Sequence, residues 1–407
     1  MLIYGDTLES QGFSFFTEVK ISTTTMKIGV VTFWQGNDNY GMILQCWALQ
    51  QFLKSQGHEP YVIRYDTKGS FVKRLVKFFF ACIKFIGSAD FRKDFKNEWK
   101  YKKYKLEKDK LRDFDGFRRK NIVFSPLTYH YIEKLRLFPP KADCYISGSD
   151  QIWRGSLRYE NIKGYFLDFG SQDVRRVAYA PSFGMSTYIK GEINLLCDAL
   201  KKYDAISCRE HDGVKICKEA GYNAVKVEDP TLLLDVDLYR SICKPVDYNN
   251  YLFIYSLNIN SPEDIYWQDL KSSIGYKKVI VTPASGYFPG REIFGDEVIY
   301  DYATPGRWLS LIANADLVVT SSFHGVVFAI IFNVKFAFVP LKGEKASANN
   351  RVIDLLNSLE LDFTVVENGI SYKKLMTKDF SWNKVNNKKT ELVLESFLYF
   401  QQSLLKS

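Results

Sequence analysis

What this sequence lacks narrows its chemistry first. Its seven cysteines (Cys46, Cys82, Cys144, Cys197, Cys208, Cys217 and Cys243) are odd in number, scattered and without a C-x-x-C pair. They read as reduced thiols rather than zinc ligands or a disulfide framework, and no metal site is expected. The longest apolar stretch, Phe78 to Ile86, is broken by Lys84 and reaches about half of the ~20 residues a membrane-spanning helix needs. The first residues carry Asp6 and Glu9 and no compact apolar core, which argues against a secretory signal and for the cytoplasm. Histidine is scarce too, with His58, His130, His211 and His324 the full set.

Net charge is nearly absent outside one segment. The chain carries a formal +9, yet Asp66 to Lys120 alone holds 18 Lys/Arg against 8 Asp/Glu, so the remainder is close to neutral. Within it, Phe71 to Phe80 interleaves Lys73, Arg74 and Lys77 with apolar residues at helix-like intervals. Two readings of this 66–120 stretch stay open: a helical hairpin with its apolar stripe packed inward, or a surface lying on an anionic membrane. Neither an aromatic-glycine RNA signature nor zinc-finger spacing accompanies it, so no nucleic-acid partner is expected.

What the chain does have is alternation. At 407 residues it exceeds what one core usually supports, so two domains are expected. Short apolar strands are read at Met26 to Phe33, Ala142 to Ile146, Val174 to Tyr179 and Ala205 to Ser207. A second set follows at Tyr251 to Tyr255, Lys278 to Val281, Val298 to Tyr300, Leu317 to Thr320 and Lys335 to Val339. Helical stretches such as Met42 to Ser55 and Thr304 to Ala313 lie between strands, which predicts an α/β fold with parallel sheets. The expected division is 1–25 as a disordered or non-native extension, 26–245 as a first α/β domain with the basic insertion, and 246–385 as a second. Residues 386–407 are expected to form a helix that packs back on the first domain.

One histidine stands where α/β proteins place their chemistry. Leu317 to Thr320 reads as a buried strand and Val326 to Phe332 as a helix-compatible run, with Ser321, Ser322, Phe323, His324 and Gly325 as the turn between them. Ligands of open α/β sheets bind beyond strand C-termini, where the next helix offers free N–H groups and a positive dipole end. His324 is thus expected beside a phosphate or carboxylate, with a turn-capping or gap-filling histidine as an evenly weighted alternative. The other three histidines lack that setting and read as structural or exposed. Near the start, Gly36 to Gly41 links the first strand to its helix. Its Gly and Asn residues leave N–H groups open to a ligand, although the spacing is neither G-x-G-x-x-G nor a P-loop.

Five motifs in order carry a resemblance: Asn39-Tyr40-Gly41 with Leu44-Gln45 and Ala48-Leu49-Gln50, then Ser147-Gly148-Ser149-Asp150-Gln151-Ile152-Trp153, Ser207-Cys208-Arg209-Glu210, Asp229-Pro230-Thr231 and Ser321-Ser322-Phe323-His324-Gly325. From about Met26 to Leu361 the chain resembles the polysaccharide pyruvyl transferase family. The resemblance implies two Rossmann-like domains, glycosyltransferase-B-like, with the active site in the cleft between them. It implies transfer of pyruvate from phosphoenolpyruvate to a sugar of a cell-surface polysaccharide or its precursor, giving a cyclic ketal. The implied partners are phosphoenolpyruvate and a sugar or lipid-linked oligosaccharide acceptor, with no separate cofactor. Such acceptors are built at the inner membrane face, where peripheral contact with anionic lipid would help. Some family members have Arg-Leu-His-Gly where this chain has Ser322-Phe323-His324-Gly325, so the donor here must rely on Arg209, backbone N–H groups or another basic residue.

Roles follow from that implication. His324 is the acid/base candidate, because histidine's ordinary pKa of about 6.5 suits proton transfer near neutrality. Arg209 is assigned to the donor, since its planar fork matches phosphate or carboxylate; the competing reading is a salt bridge to Glu210 or Asp212. Ser321, Ser322, Gly325 and Arg351 are further donor-binding candidates, Arg351 competing with a surface arginine at a helix start. Asp150 either orients or deprotonates a sugar hydroxyl or caps a helix beginning at Gln151. Acceptor contacts are expected from Asn37, Asn39, Tyr40 and Trp153, with Tyr179, Phe183 and Tyr287 as further rings able to stack on a sugar. Two other classes stay open: a nucleotide-sugar-dependent glycosyltransferase of similar architecture, and a non-catalytic membrane-associated assembly subunit.

Overall fold

Two all-parallel sheets account for the strands among the described residues. The computed structural model describes residues 24–67, 89–275, 278–284, 292–366 and 372–405. The Phe71 to Phe80 stretch, Tyr287 and residues 1–23 lie outside them, and the membrane-surface expectation with them. The first sheet runs β3-β2-β1-β4-β5-β6-β7, built from β1 (Lys27–Val31), β2 (Glu59–Tyr65), β3 (Phe124–Tyr129), β4 (Cys144–Ser147), β5 (Arg175–Ala178), β6 (Ala205–Cys208) and β7 (Val225–Lys226). The second runs β10-β9-β8-β11-β12, from β8 (Leu252–Tyr255), β9 (Val279–Val281), β10 (Ile299–Tyr300), β11 (Leu317–Thr320) and β12 (Phe336–Phe338). Strand order reverses at β1/β4 in the first sheet and at β8/β11 in the second, the crevices where open α/β sheets hold their ligands.

Central strands are apolar because helices cover both sheet faces. Every residue of β4, β8 and β11 is buried. The helices that shape the site are α1 (Tyr40–Ser55), α2 (Ala89–Arg112), α3 (Phe114–Asn121), α4 (His211–Glu219), α5 (Pro305–Ala313), α6 (Phe323–Ile331), α7 (Asn350–Ser358) and α8 (Trp382–Leu404). Strands β2 and β3 are additions to the sequence reading. Their Pro60 and Pro126 and the half-exposed pattern of β3 hide the strand signal; β3 is the edge of its sheet, which tolerates both features, and Pro60 stands near the start of β2.

The described part of the basic stretch packs against protein. Arg112 at the end of α2 donates from Nη2 to the Pro283 carbonyl at 2.6 Å, and the Tyr104 hydroxyl donates to Glu292 Oε1 at 2.7 Å. Both acceptors belong to the second domain. In the following helix α3, Arg118 donates from Nη1 to the Trp34 and Gly36 carbonyls, at 3.1 and 2.9 Å, and so clasps the loop after β1. Helix α8 returns to the first domain, where Tyr399 donates to the Ala178 carbonyl at 3.2 Å and Gln401 Nε2 donates to Gln56 Oε1 at 2.7 Å.

Two residues expected at the acceptor belong to the core instead. Tyr40 is fully buried at the start of α1, and its ring stacks on Trp308 of α5 at 5.0 Å and 7°. Its hydroxyl donates to the Ala303 carbonyl at 2.6 Å, so a first-domain helix is anchored in the second domain. Trp153 is likewise fully buried, stacked on Phe166 at 4.9 Å, with Nε1 donating to the Tyr165 carbonyl at 3.2 Å. Neither ring has a face open to a sugar, and Tyr179 and Phe183 are equally enclosed. In a chain rich in aromatics, large rings at element starts fill the core first.

Tyr40→Phe keeps the stack on Trp308 and removes only the hydroxyl, leaving the Ala303 carbonyl unpaired. It should cost about 1–2 kcal/mol, read as an earlier unfolding midpoint in denaturant. An unchanged midpoint would show that this bond does not hold the domains together.

Candidate active site

Four loops leaving the C-terminal ends of the first sheet's strands meet the start of α6. After β4 come Ser149 and Asp150, after β5 Ser182, after β6 Arg209 and Glu210, and after β7 Asp229. From the second sheet, α6 follows β11 and brings His324 in its first turn, and α7 brings Arg351. The helix begins at Phe323, three residues before the apolar run suggests, because the Ser322 hydroxyl caps it by accepting from the Gly325 N–H at 3.4 Å. His324 is therefore buried in a helix, and not exposed in a turn.

Asp229 is the centre of the cluster. It has no exposed surface. Its Oδ2 accepts from the Ser149 hydroxyl at 2.6 Å and Arg209 Nη1 at 3.0 Å, and its Oδ1 accepts from the Thr231 N–H at 3.0 Å and hydroxyl at 2.7 Å. His324 Nε2 stands 3.6 Å from Oδ2. Burial alone would push this carboxyl up, but His324, Arg209 and Ser149 together hold it far below the usual carboxylate range. Sequence reading placed Asp229 in a motif without giving it a role; the signal was an aspartate before Pro230, capping a tight turn beyond a strand.

Arg209 is buried, and its close ion pair is with Asp229 rather than with the expected Glu210 or Asp212. Nη1 pairs with Asp229 and Nε lies 3.8 Å from Glu210 Oε2, yet Nε and Nη2 carry no hydrogen bond. Burial lowers its pKa, but Asp229 and then Glu210 and Asp150 more than offset this, so the net shift is upward. Glu210 is itself fixed by the Ser182 hydroxyl, which donates to Oε1 at 2.6 Å, while Oε2 has no partner. His324 Nε2 and Arg351 Nε are also buried without one. Five such atoms gathered at one place are costly in a finished core and ordinary where a ligand completes the bonding.

The ring of His324 is seated by a glycine. A Cβ on Gly41 would lie 2.1 Å from His324 Nδ1, so only glycine at the second position of α1 leaves room for the imidazole. Asn39 caps the same helix by accepting from the Met42 N–H at 3.0 Å, and Asn37 accepts from Arg118. Both asparagines thus shape the loop. Gln45 holds it from below, donating to Thr32 Oγ1 at 3.0 Å, and Thr32 in turn donates to the Ser149 carbonyl at 2.6 Å.

The remaining candidates divide. Ser321 accepts from the Leu257 N–H at 2.7 Å and donates to its carbonyl at 2.9 Å, tying β11 to the loop after β8. Gly325 packs on Thr320, where a Cβ would meet Oγ1 at 2.3 Å. The side chains of Ser321 and Ser322 are thus engaged within the fold, and what this turn can still offer a ligand is the backbone N–H groups of its first residues. Asp150 caps no helix, since residues 151–159 form turns. Its φ is 88°, a strained setting for an L-residue, and its carboxylate accepts from the Gln151 N–H at 2.7 Å. Strain of this kind is concentrated at functional sites. Arg351 reaches the cluster, its guanidinium 5.4 Å from the centroid of the Phe323 ring. Among the described residues no group of three or more metal-ligating side chains gathers.

A family model described as polysaccharide pyruvyl transferase matches residues 39–342. No curated protein matches the chain significantly. Among solved structures the chain is similar to an α-glucosyltransferase determined with UDP-glucose and DNA, at 12% identity and a TM-score of 0.48 over 93% of this chain and 98% of that one. It is also similar to the UDP-GlcNAc 2-epimerase of Methanocaldococcus jannaschii, at 11% and 0.44 over 92% and 100%. A third likeness is to MurG of Acinetobacter baumannii, at 9% and 0.43 over 92% and 99%.

Gly41→Ala isolates the seat of the imidazole. Alanine suits a helix better than glycine by about 1 kcal/mol, but overlap with a buried ring costs on the order of 1–3 kcal/mol. The variant should melt earlier than the parent, and the same change made in a His324→Ala background should not. Equal losses in both backgrounds would rule out the contact as the cause.

Proposed function

The chain belongs to the polysaccharide pyruvyl transferase family, and from that premise we propose that it moves the pyruvyl group of phosphoenolpyruvate onto two hydroxyls of one sugar, in a cell-surface polysaccharide or its precursor. The observation that supports this most is the pair of unbonded N–H edges of buried Arg209 beside His324, at the ends of the first sheet's strands. A donor bearing phosphate and carboxylate supplies the acceptors those groups lack.

The reaction balances without a redox partner. One sugar hydroxyl adds to C2 of the enol as a proton reaches C3, turning the methylene into a methyl group. The second hydroxyl then displaces phosphate at C2, and its proton leaves with the phosphate. The products are a cyclic ketal carrying the carboxylate, and inorganic phosphate.

In this reading His324 carries the proton to C3 and collects it from a hydroxyl. Asp229, 3.6 Å from Nε2, fixes the ring's orientation, a positioning role. Arg209 holds the donor through Nε and Nη2 while Nη1 stays on Asp229. Asp150, held by its local bond to Gln151, is assigned to orient or deprotonate an acceptor hydroxyl. Among the described residues no helix is long and apolar enough to cross a membrane, and a lipid-linked acceptor would be met at the membrane surface.

Phosphate release from phosphoenolpyruvate across a panel of sugar acceptors tests the reading. Release should require an acceptor, and the product should be a pyruvyl ketal by mass; glycosyl transfer from a nucleotide sugar would replace this function with another. His324→Gln should lower turnover by about 10²-fold or more. Arg209→Lys keeps the charge on Asp229 but loses the planar fork, so donor affinity should weaken while acceptor affinity holds. Near-full turnover of the first variant, or an acceptor defect in the second, would remove that residue from its role.

A further inference from the structure

Arg351 is a cation in search of a partner. Among the described residues it donates no hydrogen bond and makes no ion pair, and its Nε is buried. Its guanidinium lies 5.4 Å from the centroid of the Phe323 ring, and that of Arg209 lies 4.8 Å from the same centroid. Stacking on a ring orients a planar guanidinium without using its N–H edge. Both guanidinium groups are therefore held in direction with donors left over, Nε and Nη2 of Arg209 and Nε of Arg351.

The two arginines come from different domains. Arg209 follows β6 of the first sheet. Arg351 is the second residue of α7, beyond the second sheet. That helix is fastened across the cleft, since Asn350 Nδ2 donates to Asp212 Oδ2 at 2.8 Å and the His211 N–H donates to Asp354 Oδ2 at 3.3 Å. The Arg351 side chain is thus presented to the cluster by a helix docked on both sides. Burial, and then the nearby Arg209 charge, push the Arg351 pKa down to about 10, with Asp150, Glu210 and Asp229 only partly offsetting them. None of the first-domain carboxylates pairs with Arg351: Asp229 is held by Arg209, Ser149 and Thr231, Glu210 is held by Ser182 through Oε1 with Oε2 left over, and Asp150 is held by Gln151.

We propose that Arg209 and Arg351 form a two-cation clamp for a donor bearing two separate anionic groups, each arginine taking one of them across the domain cleft. The proposal rests on the phosphoenolpyruvate reading for the identity of the donor, though not for the geometry. It assigns to Arg351 the positive charge that the turn before His324 does not supply, Ser322 being a neutral helix cap. It also makes donor binding a contact between domains, so that the site is complete only when both engage the same molecule.

Calorimetric titration of the intact protein with phosphoenolpyruvate, inorganic phosphate, pyruvate and UDP tests this, for the parent, Arg351→Gln and Arg351→Lys. The parent should bind phosphoenolpyruvate more tightly than either single anion. Arg351→Gln should weaken it by about 10–100-fold, towards the level of a single anion, and Arg351→Lys should restore part of the loss. Without ligand, Arg351→Gln should melt no earlier than the parent, because it relieves like-charge repulsion; a purely structural arginine would lower the melting point. Parent-like binding of phosphoenolpyruvate by Arg351→Gln, or phosphate binding as tight as phosphoenolpyruvate in the parent, would overturn the clamp. If the parent ignores phosphoenolpyruvate but binds UDP, with the same loss in Arg351→Gln, the functional reading falls and the clamp stands. Binding of none of the four overturns both.

Discussion

A carboxylate with no exposed surface organises this molecule's chemistry. Asp229 takes hydrogen bonds from Ser149, Arg209 and Thr231 and faces His324 across 3.6 Å, so it touches the loops after β4 and β6 and the first turn of a helix from the other domain. Burying such a charge is costly, and partners of this quality do little more than offset the loss of water. Stability alone would be served as well by apolar packing. A buried ion cluster at the ends of parallel strands is better understood as a means of holding Arg209 and His324 in fixed directions with part of their bonding capacity unused.

The architecture makes that arrangement possible. Each sheet reverses its strand order at one point, and the segments leaving the two points meet, Gly41 against His324 and Tyr40 against Tyr255. Tyr40 secures the apposition by crossing from α1 into the aromatic packing of Trp308 and Tyr255, while Gly41, its neighbour, leaves the space that the imidazole fills. One short sequence, Asn39-Tyr40-Gly41, therefore caps a helix, joins two domains and seats a proposed acid/base group. Each task calls for a different residue type, which is why the three stand together.

Much of this was legible in the chain itself. The β-α alternation, the parallel sheets and the setting of His324 beyond β11 all follow from apolar runs that stop at small or polar residues. Strands β2 and β3 were not, because a proline in each and, in edge strand β3, partial exposure erase the pattern on which strand reading depends. Tyr40 and Trp153 looked like ligand contacts and proved to be core, since an aromatic beside a motif reads alike in both roles. Asp229 gave the opposite error. Its importance comes from partners 20, 80 and 95 residues away, Arg209, Ser149 and His324, and no local pattern announces a meeting of that kind.

The pH dependence of stability in Asp229→Asn tests the organising role of this carboxylate most directly. Its folded pKa lies far below its unfolded value, which is about 3.9 for aspartate. Its stabilising contribution is therefore fully present above the unfolded value and is lost as pH falls towards the folded one. Removing one member of a buried pair costs about 3–5 kcal/mol, so Asp229→Asn should be less stable than the parent by about that amount at pH 7. The gap should stay level down to about pH 5 and then narrow by about 1.4 kcal/mol per unit below pH 3.9. A gap absent at pH 7, or one that does not narrow in acid, would contradict a structure built around the Asp229 charge.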